Sequence, residues 1–311
     1  MKKIFFLLHA VAICTIGYAE DPPAPVVIWH GMGDSCCNPL SMGRIKKMIE
    51  AEVDGVYVKS LMFGGNVFTD TEYGFFSDVN NLVKSACDQI AADPYLQDGY
   101  NAIGFSQGAQ FLRAVAQRCP EPPMLNFVSV GGQHQGIFGV PYCSSDVMLC
   151  MMMSKLLDYG AYTTFVQKRS VQAQYWHDPY NEELYVNKSL FLADINNEKN
   201  YFKGIYKDDI KKKMYRKNLL KLKNMLLIKF TKDKMIIPKE SSWFQYFAPG
   251  TKDIQPLNET KLYKDDMIGL KKLVESGKVK FLEIEGDHLQ ITNEEFKEHV
   301  IEPYLRNKLE F

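Results

Sequence analysis

The sequence has no excess of charge of either sign. Its 37 lysines and arginines are matched by 37 aspartates and glutamates, and the formal net charge at pH 7 is 0. Nucleic-acid-binding domains usually present a basic face, so this balance argues against nucleic acid as the main partner. A local basic cluster, Lys211-Lys212-Lys213, is expected to lie on a solvated surface.

An apolar run long enough to span a membrane is also missing from the N-terminal region. Ile4–Ile16 is interrupted by His9 and Thr15, whereas a helix needs about 20 apolar residues to cross a bilayer. The basic start Lys2-Lys3 and the small residues that follow the run complete the three-part pattern of a secretory signal peptide. The sequence therefore predicts a signal peptide at residues 1–19 and no transmembrane segment, with an uncleaved anchor as the alternative.

The cysteines lack the spacing of a metal site. No CxxC pair and no cluster of histidine and cysteine fits zinc, so neither a metal nor another cofactor is expected. Seven cysteines occur, and removal of Cys14 with the signal peptide leaves an even number, which in an oxidising compartment suggests disulfides with fifteen alternative pairings. The remaining cysteines are Cys36, Cys37, Cys87, Cys119, Cys143 and Cys150.

Position along the chain favours some of these pairings. Cys143 and Cys150 would close a short local loop. Cys87 and Cys119 each lie late in a predicted helix, and two neighbouring helices could bring them together. The adjacent pair Cys36-Cys37 would form a rare and strained bond, so these two cysteines bond to each other, bond elsewhere or stay free.

Two triplets match the signal for N-linked glycosylation. They are Asn187-Lys188-Ser189 and Asn258-Glu259-Thr260. In a protein that enters the secretory pathway, such triplets predict surface loops that carry glycans at Asn187 and Asn258.

Apolar strands and amphipathic helices alternate through the first half of the chain. The predicted strands are Val26–His30, Val56–Phe63, Tyr100–Phe105 and Leu125–Val130, and the helices between them are Met42–Val53, Phe75–Ala91 and Ala109–Gln117. This alternation implies a parallel sheet with crossover helices, and the near-continuous apolar strands are typical of a sheet covered on both faces. The predicted fold class is therefore α/β.

The alternation stops between about residues 134 and 223, where aromatic residues, methionine, asparagine and lysine are frequent. We expect two or three helices there, which would form a cap-like insertion over the sheet. The strands Met225–Phe230 and Val279–Ile284 and a closing helix at Phe296–Leu305 follow. No repeat, low-complexity segment or linker divides the chain, so residues 20–311 are expected to form a single domain.

The motif Gly104-Phe105-Ser106-Gln107-Gly108 follows a predicted strand and opens a predicted helix. This is the context of a nucleophile elbow, in which a sharp turn exposes the serine hydroxyl at the carboxyl end of the sheet. Side chains at Gly104 and Gly108 would collide with neighbouring elements. The first amides of the following helix favour a developing anion at the same place. Ser106 is therefore the candidate nucleophile.

A serine hydroxyl needs a base to remove its proton. In α/β proteins that carry a nucleophile elbow, the catalytic residues occur along the chain in the order serine, acid, histidine. His288 follows the last predicted strand in Glu285-Gly286-Asp287-His288, where the fold presents its base. We therefore expect His288 to be the catalytic base. The other histidines of the mature chain are His30 beside a glycine-containing loop, His134 and His177 in or near the insertion, and His299 in the closing helix.

The acid that orients the histidine is expected at Asp233. This residue follows the strand Met225–Phe230, which agrees with the chain order of the fold. Asp194 is the alternative, because it ends another apolar run, whereas Asp287 adjoins His288 and cannot easily fold back on it.

Acyl transfer also needs donors for the oxyanion, which are usually two backbone N–H groups. One is expected from Gln107, the residue after the nucleophile, and the other from Met32 in the loop His30-Gly31-Met32-Gly33. Apolar residues in the insertion and beyond Asp233 suit a fatty chain, since each buried CH₂ contributes about 0.8 kcal/mol. Core packing explains the same residues equally well. The candidates for an acyl groove are Trp176, Ile236 and Ile237.

Several long motifs together resemble the lysosomal palmitoyl-protein thioesterase family, in its type-1 branch, which has the α/β-hydrolase fold. The resemblance extends from about Pro25 to about Tyr304. The sequence departs from the family pattern at Lys232, where members have asparagine. The motifs that carry the resemblance are His30-Gly31-Met32-Gly33-Asp34-Ser35-Cys36-Cys37-Asn38-Pro39, Gly104-Phe105-Ser106-Gln107-Gly108, Gly131-Gly132-Gln133-His134-Gln135-Gly136, Tyr175-Trp176-His177-Asp178-Pro179 and Glu285-Gly286-Asp287-His288-Leu289-Gln290.

The resemblance implies removal of palmitate from the cysteine thioesters of S-acylated proteins and peptides in the lysosome. It implies the triad Ser106, Asp233 and His288, which agrees with the prediction from the motifs and their order along the chain. It also implies the disulfides Cys36–Cys37, Cys87–Cys119 and Cys143–Cys150, and it makes a glycan-dependent lysosomal sorting receptor a candidate partner.

Two other functions fit the motifs less specifically. A secreted lipase or general carboxylesterase would use the same serine, histidine and aspartate. A non-catalytic acyl-binding protein on the same fold is the third hypothesis, and the intact Ser106 and His288 argue against it.

Overall fold

The computed structural model describes residues 21–139, 151, 160–199 and 209–309. The predicted signal peptide at residues 1–19 and the predicted pair Cys143–Cys150 lie outside these residues. The strands are β1 Val26–Trp29, β2 Val58–Ser60, β3 Tyr100–Phe105, β4 Met124–Val130, β5 Asn224–Phe230, β6 Tyr246–Phe247, β7 Ile254–Gln255 and β8 Val279–Ile284.

Helices precede and follow these strands along the described parts of the chain. They are α1 Met42–Glu52, α2 Val67–Tyr73, α3 Val79–Ala91, α4 Gln107–Arg118, α5 Thr164–Gln167, α6 Val171–Gln174, α7 Glu182–Lys188, α8 Leu192–Ile195, α9 Asp209–Leu219, α10 Lys261–Lys264, α11 Leu270–Glu275, α12 Asn293–Phe296 and α13 Glu302–Tyr304. In the described parts of the chain, none of the helices combines the length and the apolar character needed to cross a bilayer.

A six-stranded parallel sheet forms the centre of the molecule, with the strand order β2-β1-β3-β4-β5-β8. The predicted α/β class is therefore confirmed. Strand β1 has β2 on one side and β3 on the other, so the direction of winding reverses at β1. In open α/β sheets, the crevice outside the carboxyl ends of the strands at such a reversal is where ligands bind.

Alternate residues of the central strands pack on opposite faces of the sheet. Val27 and Trp29 of β1 belong to one hydrophobic cluster, which also holds α3, α4 and much of the insertion. Val26 and Ile28 belong to a second cluster, which holds α1 and the C-terminal helices. All four side chains are at most 2% exposed. Burial on both faces explains why these strands read as continuous apolar runs.

Several predicted boundaries differ from the structure. The predicted strand Val56–Phe63 is shorter and spans Val58–Ser60, and helix α3 begins at Val79 rather than Phe75, after Asp78 caps it by accepting from Asn80 N. The predicted closing helix is divided into α12, the π-helical turn Lys297–Ile301 and α13. Pro303 has no N–H to donate to the helical ladder, which explains why one regular helix does not continue.

The insertion contains more helices than expected. Helices α5 to α9 lie in its described parts, whereas two or three were predicted. Three of them have only four residues, too few for a helical period to be visible in the sequence, and helices this short depend on tertiary packing. The sequence also gave no signal for α2, α10, α11 or the small antiparallel pair β6–β7.

The structure contains the disulfides Cys36–Cys37 and Cys87–Cys119, and the second joins α3 to the end of α4. Both candidate glycosylation residues are exposed. The expectation that they lie in loops was wrong, because Asn187 belongs to α7 and Asn258 to a 3₁₀ turn at Leu257–Glu259.

Candidate active site

A single residue makes the turn between β3 and α4. Strand β3 ends at Phe105 and α4 begins at Gln107, so Ser106 alone reverses the chain, with φ 53° and ψ −124°. A residue with a Cβ atom is strained at this positive φ, and such strain is found mostly at functional sites. Ser106 N donates to Val130 O at 2.8 Å, and Ser106 O accepts from Ala109 N at 3.0 Å. These two bonds hold the strained residue in place.

The glycines of the motif allow two elements to approach this turn. A Cβ atom on Gly104 would overlap the backbone of Ala109. A Cβ atom on Gly108 would lie 2.5 Å from the carbonyl oxygens of both Trp29 and His30. Backbone atoms cannot move aside as a flexible side chain can, so both positions require glycine for the packing of α4 against β1 and β3.

Three of the predicted site residues meet at the carboxyl edge of the sheet. His288 Nε2 lies 3.0 Å from Ser106 Oγ, and His288 Nδ1 lies 2.7 Å from Asp233 Oδ2. Asp233 follows β5 and His288 follows β8, and these two strands are neighbours. The His288 side chain is 13% exposed and that of Asp233 is 1% exposed. The arrangement is that of a nucleophile, a base and an orienting acid.

The backbone of its own loop orients Asp233. Its Oδ1 accepts from the N–H groups of Met235 at 2.8 Å and Ile236 at 2.9 Å, which leaves Oδ2 for His288. Lys232 N donates to Gly286 O at 2.9 Å and thereby joins this loop to the loop of the histidine.

Lys232 directs its ammonium group toward the carboxylate of Glu285. Its Nζ lies 2.6 Å from Glu285, and the two side chains are 62% and 78% exposed. Exposed ion pairs contribute little stability, and the described contacts among Asp233, His288 and Ser106 do not involve Lys232 Nζ.

The alternative acid, Asp194, lies in a different network. It belongs to α8 and binds Arg118 at 2.9 Å, Lys211 at 2.6 Å and Tyr215 at 3.0 Å. Burial alone would raise the pKa of Asp194, but the hydrogen bond from Lys211 and the nearby charges outweigh burial and hold the pKa below its ordinary value. The structure therefore separates Asp194 from His288.

The loop after β1 packs directly against the nucleophile. A Cβ atom on Gly31 would lie 3.2 Å from Ser106 Cβ, and Gly33 has a φ of +77°, which favours glycine. Met32 stands between these glycines and is partly buried. Gln107 is buried, and its side chain donates to Gly74 O at 3.0 Å and accepts from Tyr175 Oη–H at 3.2 Å. The two expected oxyanion donors therefore belong to segments that flank Ser106.

A cavity of about 190 Å³ opens beside Ser106 and His288. Its apolar lining includes Met32, Leu40, Ile45, Met235 and Leu289. Leu40 and Leu289 could not be selected from the sequence, because single apolar residues in loops carry no periodic signal.

None of the three acyl-groove candidates lines the described part of this cavity. Trp176 is buried with its ring centroid 5.3 Å from that of Phe138. Ile236 is buried, and its N–H donates to Asp233 Oδ1. Ile237 O accepts from Phe138 N at 2.7 Å. Trp176 and Ile237 therefore both adjoin Phe138.

His134 forms a second serine–histidine pair, and among the described residues no acid contacts its ring. Its Nε2 lies 2.8 Å from Ser129 Oγ, and its ring stacks on Phe244 with centroids 4.5 Å apart. His134 is fully buried, and burial together with the charge of Arg113 lowers its pKa well below the ordinary value. A neutral, enclosed imidazole of this kind is structural. His299 lies in the π-helical turn Lys297–Ile301 and is partly exposed.

His177 lies in a buried cluster of the insertion. Its ring is stacked between Tyr185, at a centroid distance of 3.7 Å, and Tyr246, at 4.3 Å. Its Nε2 lies 3.0 Å from Glu182, and Tyr185 Oη–H donates to Glu198 at 2.6 Å. Burial alone would lower the pKa of His177, but the charge of Glu182 outweighs burial and raises it. Burial raises the pKa of Glu198 to about 7, against the influence of His177 and Tyr185.

This cluster contributes more stability to the fold at acidic pH than at neutral pH. Folded Glu198 keeps its proton up to about pH 7, whereas the unfolded chain loses it near the ordinary pKa of 4.5. The resulting stability is present below pH 4.5 and is lost as the pH rises through about 7. His177, with a raised pKa, acts in the same direction above its ordinary 6.5. His134, with a lowered pKa, acts in the opposite direction below 6.5.

The Glu198→Gln variant isolates the carboxylate's contribution, because glutamine still accepts from Tyr185. We expect the free energy of unfolding of the wild type, relative to this variant, to fall by about 1–3 kcal/mol between pH 5 and pH 8. Denaturant unfolding at several pH values measures the difference. Glu183→Gln, which removes an exposed carboxylate from α7, the helix that carries Glu182 and Tyr185, is the control and should follow the wild type. Parallel curves for wild type and Glu198→Gln would contradict the assignment.

Comparison with known proteins gives matches over most of the chain. The family model described as palmitoyl protein thioesterase matches residues 25–288, a span that includes Ser106, Asp233 and His288. Palmitoyl-protein thioesterase 1 of Caenorhabditis elegans is 54% identical over 307 residues, which cover 98% of this chain and 100% of that protein.

Two further relatives are more distant. Palmitoyl-protein thioesterase 3 of Dictyostelium discoideum is 33% identical over 301 residues, covering 96% of this chain and 93% of that protein. Lysosomal thioesterase PPT2 of Homo sapiens is 27% identical over 284 residues, covering 90% of this chain and 87% of that protein. The similarity therefore extends over the sheet, the insertion and the loops that form the site.

Proposed function

Because the chain belongs to the palmitoyl protein thioesterase family, we propose that it removes fatty acyl groups, chiefly palmitate, from the cysteine thioesters of S-acylated proteins and peptides. The observation that carries this proposal is the continuous contact from Asp233 through His288 to Ser106 beside an apolar cavity. The chain is accordingly an enzyme, a thioester hydrolase of the α/β-hydrolase class.

The reaction proceeds through an acyl-enzyme in two steps. His288 Nε2 takes the proton of Ser106 as Oγ forms a bond to the thioester carbonyl carbon. The N–H groups of Met32 and Gln107 bind the carbonyl oxygen as it becomes negative. The C–S bond then breaks, and His288 returns the proton to the departing cysteine thiolate.

The second step repeats this chemistry with water. His288 removes a proton from a water molecule, which attacks the acyl carbon. The ester bond to Ser106 then breaks, the fatty acid is released, and the proton returns to Ser106 Oγ. Asp233 remains ionised throughout and stabilises the imidazolium that forms in both steps.

The acyl chain is proposed to leave the site along Met235 toward Ile236, Ile237 and Trp176. Met235 lines the cavity beside Ser106, and the two isoleucines follow it in the chain. Phe138 N donates to Ile237 O, and the Phe138 ring lies beside that of Trp176, which supports a path in this direction. A flexible methionine suits an adaptable groove for a fatty chain.

The enzyme acts in the lysosome, as the named human relative does. We also propose a signal peptide at residues 1–19, from the three-part pattern of the sequence. Glycans are proposed at Asn187 and Asn258, and the exposure of both asparagines supports them. Such glycans would allow a glycan-dependent sorting receptor to bind the protein.

A comparison of leaving groups tests the thioester preference. We expect kcat/KM for a palmitoyl thioester of a short cysteine peptide to exceed that for the matched palmitoyl serine ester by about tenfold or more, since the thiolate leaves more readily. The two peptides differ in one atom, so binding of chain and peptide is controlled. Equal or inverted values, or faster turnover of triglycerides, would favour the lipase or general carboxylesterase instead.

A further inference from the structure

We propose that Asp70 and His30 form a positioning pair that aims the oxyanion-binding N–H of Met32. This inference deepens the proposed function, because it concerns how the same site stabilises its transition state. The carboxylate of Asp70 acts on His30, and His30 acts on the peptide bond that contains the Met32 N–H. Neither residue touches the substrate.

The Asp70 carboxylate contacts two backbone N–H groups and the His30 imidazole. Asp70 belongs to α2 and is 0% exposed. Its Oδ1 accepts from Phe63 N at 2.8 Å and lies 3.2 Å from His30 Nε2, while Oδ2 accepts from Cys36 N at 2.8 Å. A buried carboxylate is costly unless it is paired and hydrogen-bonded, and here both oxygens are satisfied. Through His30 and Cys36 it holds the Met32 loop at both ends.

Both ring nitrogens of His30 face oxygen atoms. Nδ1 lies 2.8 Å from Gly31 O, which can only accept, so Nδ1 carries a hydrogen. Nε2 faces the Asp70 carboxylate, and a hydrogen bond between these two groups requires a second hydrogen, in addition to the one on Nδ1. The ring is 2% exposed, so water does not compete for either contact. The pair therefore fixes the orientation of the ring and presents Nδ1–H to Gly31 O.

The contact with Gly31 O acts directly on the oxyanion donor. Gly31 C=O and Met32 N–H belong to one planar trans peptide unit, so fixing the direction of the oxygen also fixes the direction of the N–H. A hydrogen bond to the carbonyl polarises the amide and strengthens its N–H as a donor. On the opposite side, Gln172 Nε2 donates to the carbonyl oxygen of Gly74, the residue that follows α2. The same nitrogen lies 2.7 Å from Met32 Sδ.

Two substitutions of His30 separate the roles of its nitrogens. In His30→Asn the amide nitrogen can take the place of Nδ1, whereas in His30→Gln it reaches the position of Nε2 and the donor to Gly31 O is lost. We expect His30→Gln to lower kcat by tenfold to a hundredfold, less than the loss of an entire oxyanion donor. His30→Asn should recover part of this loss. KM should change by less than about threefold in both variants.

Asp70→Asn is the third variant. The NH₂ of the asparagine side chain would face either Phe63 N–H or Cys36 N–H. Because NH₂ cannot accept a hydrogen bond, at least one bond to the backbone is lost. We expect kcat to fall by a similar factor, together with a lower melting temperature. Asp194→Asn is the matched control, because Asp194 also joins three groups but lies outside the site. Its melting temperature should fall while kcat stays within about twofold of the wild type.

Inhibitor binding distinguishes positioning from general damage. A palmityl trifluoromethyl ketone forms a tetrahedral oxyanion with Ser106, whereas a palmityl alkyl thioether of the same length occupies the site without one. We expect His30→Gln to weaken binding of the ketone by the same factor by which it lowers kcat. Binding of the thioether should weaken by less than threefold. Equal weakening of both inhibitors, an unchanged kcat in folded His30→Gln, or no recovery in His30→Asn would overturn the proposal.

The experiment does not depend on the thioester preference. The ketone and a p-nitrophenyl ester report on the oxyanion of any acyl transfer, and the thioether reports on binding alone, so the positioning pair can be assessed if thioesters are not the preferred substrates. Absence of thioesterase activity in the wild type would refute the proposed function alone. Normal thioesterase activity in His30→Gln would refute the positioning pair alone.

Discussion

Replacing Ser106 with alanine is expected to lower kcat for palmitoyl thioesters by about 10⁶-fold, as loss of a serine nucleophile does in comparable enzymes. The Oγ atom lies 3.0 Å from His288 Nε2 at the strained turn between β3 and α4. Without Oγ there is no acyl-enzyme, and only binding and oxyanion stabilisation remain. Steady-state hydrolysis measures the loss, and a fluorophosphonate probe, which labels activated serines, should no longer react.

Ser129→Ala is the control for this experiment. Ser129 is also buried and lies 2.8 Å from a histidine, His134, but none of the described groups binds the Nδ1 of that ring. We expect this variant to lose about 1 kcal/mol of stability through the unpaired Nε2 and to keep its activity within a few-fold. Binding of a palmityl thioether should survive in Ser106→Ala. A folded Ser106→Ala protein that hydrolyses thioesters at the native rate would disprove the assignment of the nucleophile.

Local motifs made the sheet and three site residues predictable from the sequence. The strand at Tyr100–Phe105, the glycines around Ser106 and the loop after Val279–Ile284 are each visible as short continuous patterns. The order serine, acid, histidine then selects Asp233 and His288, because consecutive parallel strands end at the same edge of the sheet. These residues were found because each adjoins the end of a strand that is itself evident.

Residues that act through long-range contacts could not be found in this way. Asp70 lies on a seven-residue helix without a distinct apolar pattern, and its partners are 7, 34 and 40 positions away in the chain. His177 and Glu198 are brought together by packing of the insertion, where tertiary contacts rather than periodicity determine the short helices. The cavity residue Leu40 lies in a loop. For such residues the sequence specifies the side chain but not the neighbour that gives it a role.

Replacing Asp233 with asparagine is expected to lower kcat by about 10⁴-fold, the effect of the same substitution in a serine protease. Oδ1 accepts from two backbone N–H groups, of Met235 and Ile236, so the asparagine oxygen must occupy that position. The amide nitrogen then faces His288 Nδ1 and donates to it. This arrangement selects the tautomer with hydrogen on Nε2, which cannot accept the proton of Ser106.

Asp287→Asn is the matched control, because Asp287 adjoins the same histidine but binds only backbone. Its Oδ1 accepts from His288 N at 2.8 Å and from Lys234 N at 3.0 Å, and an asparagine oxygen can accept both. We expect this variant to remain within about tenfold of the wild type. Steady-state kinetics of both variants, with melting temperatures to verify folding, give the comparison. If folded Asp233→Asn were nearly as active as Asp287→Asn, another group would have to orient His288, and the contact at 2.7 Å would be structural rather than catalytic.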